Sequence, residues 1–149
     1  MPAAASGLAP YAVEDISDYL SGDWRLARVY LDRRRGMVGW FRGMASFAAT
    51  TDGVRYRERG RLRFGDFDGE ACREYRCDFP TPGVARICFA DGRPFHDLDL
   101  SAGRWRVHHG CAPDSYAGEF VALSASRWRA AWRVVGPRKD LVIRGGYRR

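Results

Sequence analysis

The chain has 149 residues, a formal net charge of +7 and 46% apolar side chains. That length suits one domain burying about two-thirds of the surface its unfolded chain exposes, and the composition is not that of a disordered chain. No window approaches the roughly 20 apolar residues of a membrane helix. Met1 to Pro10 lacks the basic start and apolar core of a secretory signal. A cytoplasmic protein with no membrane partner is therefore expected.

The positive charge invites a nucleic-acid reading. Almost every basic residue is arginine: Lys139 is the sole lysine, and Asn and Gln are absent. The arginines alternate with apolar residues along the chain instead of clustering, so a solvated basic face is expected and nucleic acid is not expected as a partner. Cys72, Cys77, Cys88 and Cys111 form no C-x-x-C pair, and three histidines supply no metal spacing. No metal is expected, and the cysteines read as small core residues with reduced thiols.

Residues 1–9 are rich in Ala, Gly and Ser and read as a flexible N-terminus. Pro10 opens a helix-like segment, with Val13, Ile16 and Leu20 on one face and Glu14 and Asp15 in the first turn. Gly22 ends it. From Trp24 onward the period is two. Trp24, Leu26, Arg28 and Tyr30 share a face, and Asp32 to Gly36 is a basic turn. Met37 to Thr50 reads as a long strand bent at Gly39 and Gly43. Thr51-Asp52-Gly53 and Asp91-Gly92 are hairpin signals. Between and after them, short alternating runs follow: Val54-Tyr56-Glu58, Leu62-Phe64, Tyr75-Cys77-Phe79, Ile87-Phe89, His96-Leu98-Leu100, Trp105-Val107-His109, Tyr116-Gly118-Phe120 and Trp128-Ala130-Trp132-Val134. The turn Gly136-Pro137-Arg138-Lys139 leads into a last strand carrying Leu141, Ile143 and Tyr147.

Nine to eleven strands at this spacing argue an all-β antiparallel meander. One face is apolar, and almost no helix is available to cover it. The sheet is therefore expected to close on itself as a single up-and-down β-barrel over residues 10–149, with the short N-terminal helix plugging one end. An open sandwich is the other architecture the pattern allows.

Five polar side chains share the parity of the apolar ones: Arg28, Glu58, His96, His109 and Tyr116. A buried charge is costly unless paired. Either Arg28 and Glu58 satisfy each other structurally, or the polar groups converge on a ligand cavity. His96 and His109 lie on successive strands and suit acid–base chemistry near neutral pH. Cys111 lies two residues from His109 and is a weaker nucleophile candidate. Arg138 and Lys139 either meet an anionic group at the barrel mouth or form an exposed tip. Rings from Trp40, Trp105, Trp128 and Trp132 can fill much of the interior.

Gly22-Asp23-Trp24 before an almost unbroken β-pattern resembles the signature of lipocalin-type (calycin) barrels. There the tryptophan plugs the closed end and a last-strand arginine lies across its ring. Arg144 is the candidate for that cation–π contact, worth about 1 kcal/mol, although its parity opposes that of Leu141 and Ile143 unless Gly145-Gly146 resets the register. The further segments Tyr56-Arg57-Glu58-Arg59-Gly60, Asp91-Gly92-Arg93-Pro94-Phe95-His96, His109-Gly110-Cys111 and Gly136-Pro137-Arg138-Lys139-Asp140 resemble a bacterial, lipocalin-like family of unknown function, DUF6314. The resemblance covers the chain from about Leu20 on. It implies a calycin-type barrel with Glu58, His96, His109, Cys111, Arg138, Lys139 and Asp140 lining or rimming a pocket.

Three functions compete. The first is a monomeric or homodimeric barrel binding a small, partly apolar, anionic metabolite through Arg28, Tyr56, Glu58, His96, His109, Cys111, Tyr116, Trp128, Trp132, Arg138 and Lys139. The second is a small cyclase- or isomerase-type enzyme in which His96, His109 or Glu58 moves a proton. The third is a haem- or metal-binding barrel using His96 or His109, although the sequence itself requires no cofactor.

Overall fold

The computed structural model describes residues 9–149; the expectation of a flexible N-terminus falls, apart from Ala9, outside them. One short helix, α1 (Ile16–Leu20), precedes ten strands: β1 (Gly22–Asp32), β2 (Met37–Thr50), β3 (Gly53–Phe64), β4 (Phe67–Thr81), β5 (Val84–Phe89), β6 (Pro94–Asp99), β7 (Arg104–Cys111), β8 (Asp114–Ser124), β9 (Arg127–Gly136) and β10 (Lys139–Arg148). Every pairing is antiparallel, and the strands form one sheet in the order β6-β5-β4-β3-β2-β1-β10-β9-β8-β7. The ladder between β1 and β10 brings the first and last strands together. β6 and β7 are the two edges of the sheet and share no ladder. The result is a nearly closed barrel with a single seam. Among the described residues, no helix is long and apolar enough to cross a membrane.

The period-two pattern dictates this closure. Along β1, Trp24, Leu26 and Arg28 are buried while Arg25, Ala27 and Val29 are exposed. Burying an apolar edge from each strand stabilises by about 25 cal/mol per Å², and only a curled sheet buries all of them at once. Gly43 and Gly60 are register partners on β2 and β3. A Cβ on Gly43 would strike the Arg59 carbonyl, and one on Gly60 the Arg42 carbonyl. The two backbones approach closely here, which only glycine permits. Trp40 lies on the outward parity of β2, with the Arg42 guanidinium 5.4 Å from its ring, so it does not fill the interior.

The helix is shorter than its sequence pattern implies. Residues 10–14 are not helical, and two of their amides bond to the barrel instead: Tyr11 N–H donates to Ala122 C=O and Val13 N–H to Leu100 C=O. The helix starts at Asp15, whose carboxylate caps the Asp18 N–H at 3.0 Å. Ile16 and Leu20 are 1% exposed beneath the barrel floor. Gly22, at φ 98°, then turns the chain into β1.

Trp24 is fully buried at this closed end, and its indole N–H donates to Leu20 C=O at 2.9 Å. The arginine over its ring is Arg149, 4.1 Å from the centroid, and not Arg144. The register of β10 runs unbroken through Gly145-Gly146, so Arg144 keeps the outward parity and faces Val29 and Ala131. Arg149 shares the parity of Tyr147 and donates to the Tyr19 and Ser21 carbonyls at 3.0 and 2.8 Å.

Candidate functional site

Inward parity delivers a polar cluster to one wall of the barrel. Arg28 projects from β1, Tyr56 and Glu58 from β3, Arg73 from β4 and Tyr147 from β10. The Arg28 guanidinium meets Glu58 as a two-pronged pair, Nη1 to Oε1 at 2.8 Å and Nη2 to Oε2 at 2.6 Å. Tyr56 donates its hydroxyl proton to Glu58 Oε2 at 2.7 Å. Arg73 Nε lies 3.3 Å from Oε1. Glu58 thus accepts three hydrogen bonds, with the Arg73 cation as a further charged contact. Arg28 Nη2 also donates to the Tyr147 oxygen at 3.0 Å. Since the Tyr56 proton is engaged by Glu58, the 3.2 Å contact between the two tyrosine oxygens makes Tyr147 the donor to Tyr56.

These contacts set the charge states. Burial pushes the Glu58 carboxyl up, but the hydrogen bonds and charge of Arg28, with Arg73 and Tyr56 behind them, outweigh it and hold Glu58 below the ordinary carboxylate value. Burial works against the Arg28 cation, and the oxygens of Tyr147 and Glu58 more than reverse that. Tyr56 and Tyr147 are raised chiefly by burial and stay neutral. The Arg28–Glu58 pair is therefore internally satisfied. The hydrogen bonds and charges around Glu58 favour its anion.

Arg73 differs. Its side chain is 42% exposed, and besides Glu58 it reaches only the Tyr75 hydroxyl, at 3.0 Å. Arg28, Glu58 and Arg73 together leave one positive charge in excess, and Arg73 carries it to the solvent side of the cluster. The sequence reading passed over this residue. Its signal was present: counting back by two from Phe79, Cys77 and Tyr75 gives Arg73.

Opposite this wall, the interior is neither hollow nor solid. A cavity of about 100 Å³ lies between the charged cluster and a set of rings from Phe95, His96, Phe120, Trp128 and Trp132. By the same kind of measure, an engineered cavity of about 150 Å³ admits benzene, so this space takes a single small ring or short branched chain. Trp128 stacks on Tyr147 with ring centroids 3.6 Å apart and planes within 5°. Its indole N–H is buried and lacks an acceptor among the described residues, an omission that costs about 1–3 kcal/mol.

His96 lines the cavity, and its Nδ1 lies 2.7 Å from the Asp97 carbonyl. That carbonyl accepts the Nδ1 proton, which leaves Nε2 with its lone pair in the neutral ring. Burial lowers the His96 pKa, and the Asp97 carbonyl opposes this only in part. His109 stands behind Phe95, 5.3 Å from its ring, and beside Tyr116 at 6.3 Å; neither lines the cavity. Both histidines touch Phe95, His96 at 4.8 Å. Cys111 is exposed at the end of β7, away from the cavity. Arg138 is exposed on the β9–β10 turn, and Lys139 pairs with Asp114 at 2.8 Å. Asp140 pairs with Arg133. These four residues sit on hairpin ends and take no part in the cavity. A porphyrin, built of four such rings, far exceeds a space of about 100 Å³, and His96 is wedged between Phe95, Phe120 and Trp132. Haem therefore does not fit this interior, and no group of three metal-ligating side chains occurs among the described residues.

Several solved structures share the architecture. A protein of the DUF3598 family from Nostoc punctiforme aligns with TM-score 0.50 and 10% identity over 98% of this chain, which spans 53% of that one. The structure described as EF1p2_mFAP2b bound to DFHBI aligns with TM-score 0.47 and 11% identity over 93% of this chain and 99% of its own. A de novo designed fluorescence-activating β-barrel aligns with TM-score 0.44 and 13% identity over 91% and 97%. No curated protein matches the chain. The family model settles what these distant likenesses leave open: over residues 20–149 it covers every strand and the Arg28–Glu58–Arg73 cluster, and the chain belongs to the family of unknown function DUF6314.

Proposed function

We propose that this barrel binds one small, partly apolar anion in its interior, with the apolar part among the rings and the charge on Arg73. The observation that carries this is the unfinished polar set around the cavity. Glu58 and Arg28 are engaged by each other and by two tyrosines. Arg73 keeps its excess charge, and the Trp128 N–H is buried without an acceptor. A carboxylate or similar group supplies what both lack. The four free cysteines, with Cys77 pushed by burial up to about 12, support a reducing compartment such as the cytoplasm.

Benzoate and its neutral counterpart benzyl alcohol test this by isothermal titration, with native mass spectrometry of freshly purified protein alongside. Benzoate is expected to bind at least about 10-fold more tightly, a difference of about 1.4 kcal/mol, and Arg73→Gln to erase the preference. Equal affinity for the two probes, or no binding of either together with a purely ligand-free mass, overturns the reading.

A second reading rests on His96. A neutral imidazole with its Nδ1 proton engaged and Nε2 basic is poised as a general base, which supports an isomerase- or cyclase-type activity at the same cavity. The two readings part at His96→Gln: a binder keeps most of its affinity, whereas an enzyme loses turnover by about 10²–10⁴-fold.

A further inference from the structure

Alternation along a sequence separates arginines; alternation along neighbouring strands stacks them. On the outer face, Arg25 of β1 is in register with Met44 and Arg148, and Arg148 with Arg127. Two residues further along, Ala27 is flanked by Arg42 and Gly146, and Gly146 by Arg129. Five arginines thus border a floor of Ala27 and Gly146, with the Gly43 backbone beside them. The floor is recessed: a trough of about 870 Å³ runs between Arg25 and Arg42 on one bank and Arg127, Arg129 and Arg148 on the other. No carboxylate lines it.

The five side chains are exposed, and none has an ion-pair partner among the described residues. Six arginines elsewhere on the surface, Arg57, Arg61, Arg86, Arg93, Arg106 and Arg133, each face an acid. Like charges directly opposite on adjacent strands repel, and in the trough Arg25, Arg148 and Arg127 stand opposite one another in a row of three.

We infer that this trough binds the phosphodiester backbone of nucleic acid. Five guanidinium forks are each suited to a phosphate: Arg25, Arg148 and Arg127 sit on adjacent strands with backbones about 5 Å apart, Arg129 follows Arg127 about 7 Å along β9, and Arg42 stands across the floor about 14 Å from Arg129. Such an array engages several phosphates of an extended polyanion at once. The rings that line the trough, Trp128 and Tyr147, are buried and turned to the interior, and the outward Trp40 lies outside it with Arg42 over its ring, so phosphate contacts dominate and binding is indifferent to sequence. The exposed apolar side chains at its margin are Met44 and Leu123 alone, too little for insertion into a bilayer. This site is independent of the interior cavity.

Fluorescence anisotropy with a short labelled DNA duplex, over about 50–200 mM salt, tests the inference. The expected slope of log K against log salt is about −4.5, from five neutralised phosphates. The pair Arg127→Gln and Arg129→Gln should reduce its magnitude by about 2. The pair Arg76→Gln and Arg104→Gln, exposed residues of β4 and β7 outside the trough, removes equal charge and should leave the slope within about 0.5. Gly146→Tyr keeps every charge. A Cβ there meets nothing within 4 Å, so the ring fills the trough and should weaken binding at least about 10-fold. Equal losses from the two pairs overturn the inference by making the attraction diffuse. Binding to phosphatidylglycerol vesicles without binding to duplex overturns it in favour of a membrane. Thermal melts matching the parent protein qualify each variant.

Discussion

The two faces of one sheet use the same side chain in opposite ways. Inside, Arg28 sends its guanidinium into a carboxylate and a tyrosine and is 8% exposed. Outside, Arg25, three residues away and of opposite parity, faces Arg148 and Met44 across its two ladders. The interior arginine serves specificity: it selects one packing of β1, β3 and β10 because no other arrangement satisfies its donors. The exterior ones add to the positive field around the molecule and repel one another across the ladder. The lesson is that strand parity decides which face an arginine takes, and its neighbours across the ladder decide whether it is paired there.

Breaking the inner partner gives the largest effect. Glu58→Ala strands two cations, Arg28 and Arg73, and should cost about 3–5 kcal/mol in urea denaturation. The double change Arg28→Met with Glu58→Leu should cost far less than Glu58→Ala alone, because it removes both charges together. An equal or larger loss would mean that Tyr56 and Tyr147 depend on the pair for their position.

Acid sharpens the same contrast. The folded values of both Glu58 and His96 lie below their ordinary ones, so the unfolded chain takes up protons first and stability falls as pH falls. The His96 contribution is complete above pH 6.5 and fades below it; that of Glu58 is complete above 4.5 and fades below that. Melting temperature followed from neutral to acid pH should therefore decline in two stages, and His96→Gln should remove the upper one.

A smaller change follows at the closed end. Arg149→Ala removes the guanidinium from the Trp24 ring and two carbonyl contacts, with an expected loss of about 1–2 kcal/mol. Arg144→Ala, on the outer face, should lie within about 0.5 kcal/mol of the parent. The smallest effect is a gain. Arg148→Glu places an acid between Arg25 and Arg127 and should stabilise by a few tenths of a kcal/mol, which a calorimetric melt resolves.

Much of this was legible in the sequence, and the failures have physical causes. Parity found Arg28, Glu58 and His96 because each sits within an apolar run that declares its face. It missed Arg73, which continues the Phe79-Cys77-Tyr75 alternation by one step, because a charged residue at the end of an apolar run reads as surface. It misplaced Trp40, since bulk and hydrophobicity said core while its parity said surface. Pro10 to Glu14 carries a helical spacing, but the amides of Tyr11 and Val13 are claimed by carbonyls that only the folded barrel brings near. The sequence left the turn with Arg138 and Lys139 as either a rim or an exposed tip, because charge density does not say how far a turn projects. Arg149 was overshadowed by Arg144 because residues beyond the last strand have no period to follow.

The seam between β6 and β7 has a consequence for how the molecule breathes. Everywhere else a widening of the barrel must rupture a ladder of amide bonds. Here the two edges are linked by side chains, among them the Trp105 indole donating to the Asp97 carbonyl at 2.9 Å. Deuterium should therefore enter first at the unladdered amides of these two strands, and any guest larger than the resting interior should be admitted along this one line, unzipping rings rather than backbone.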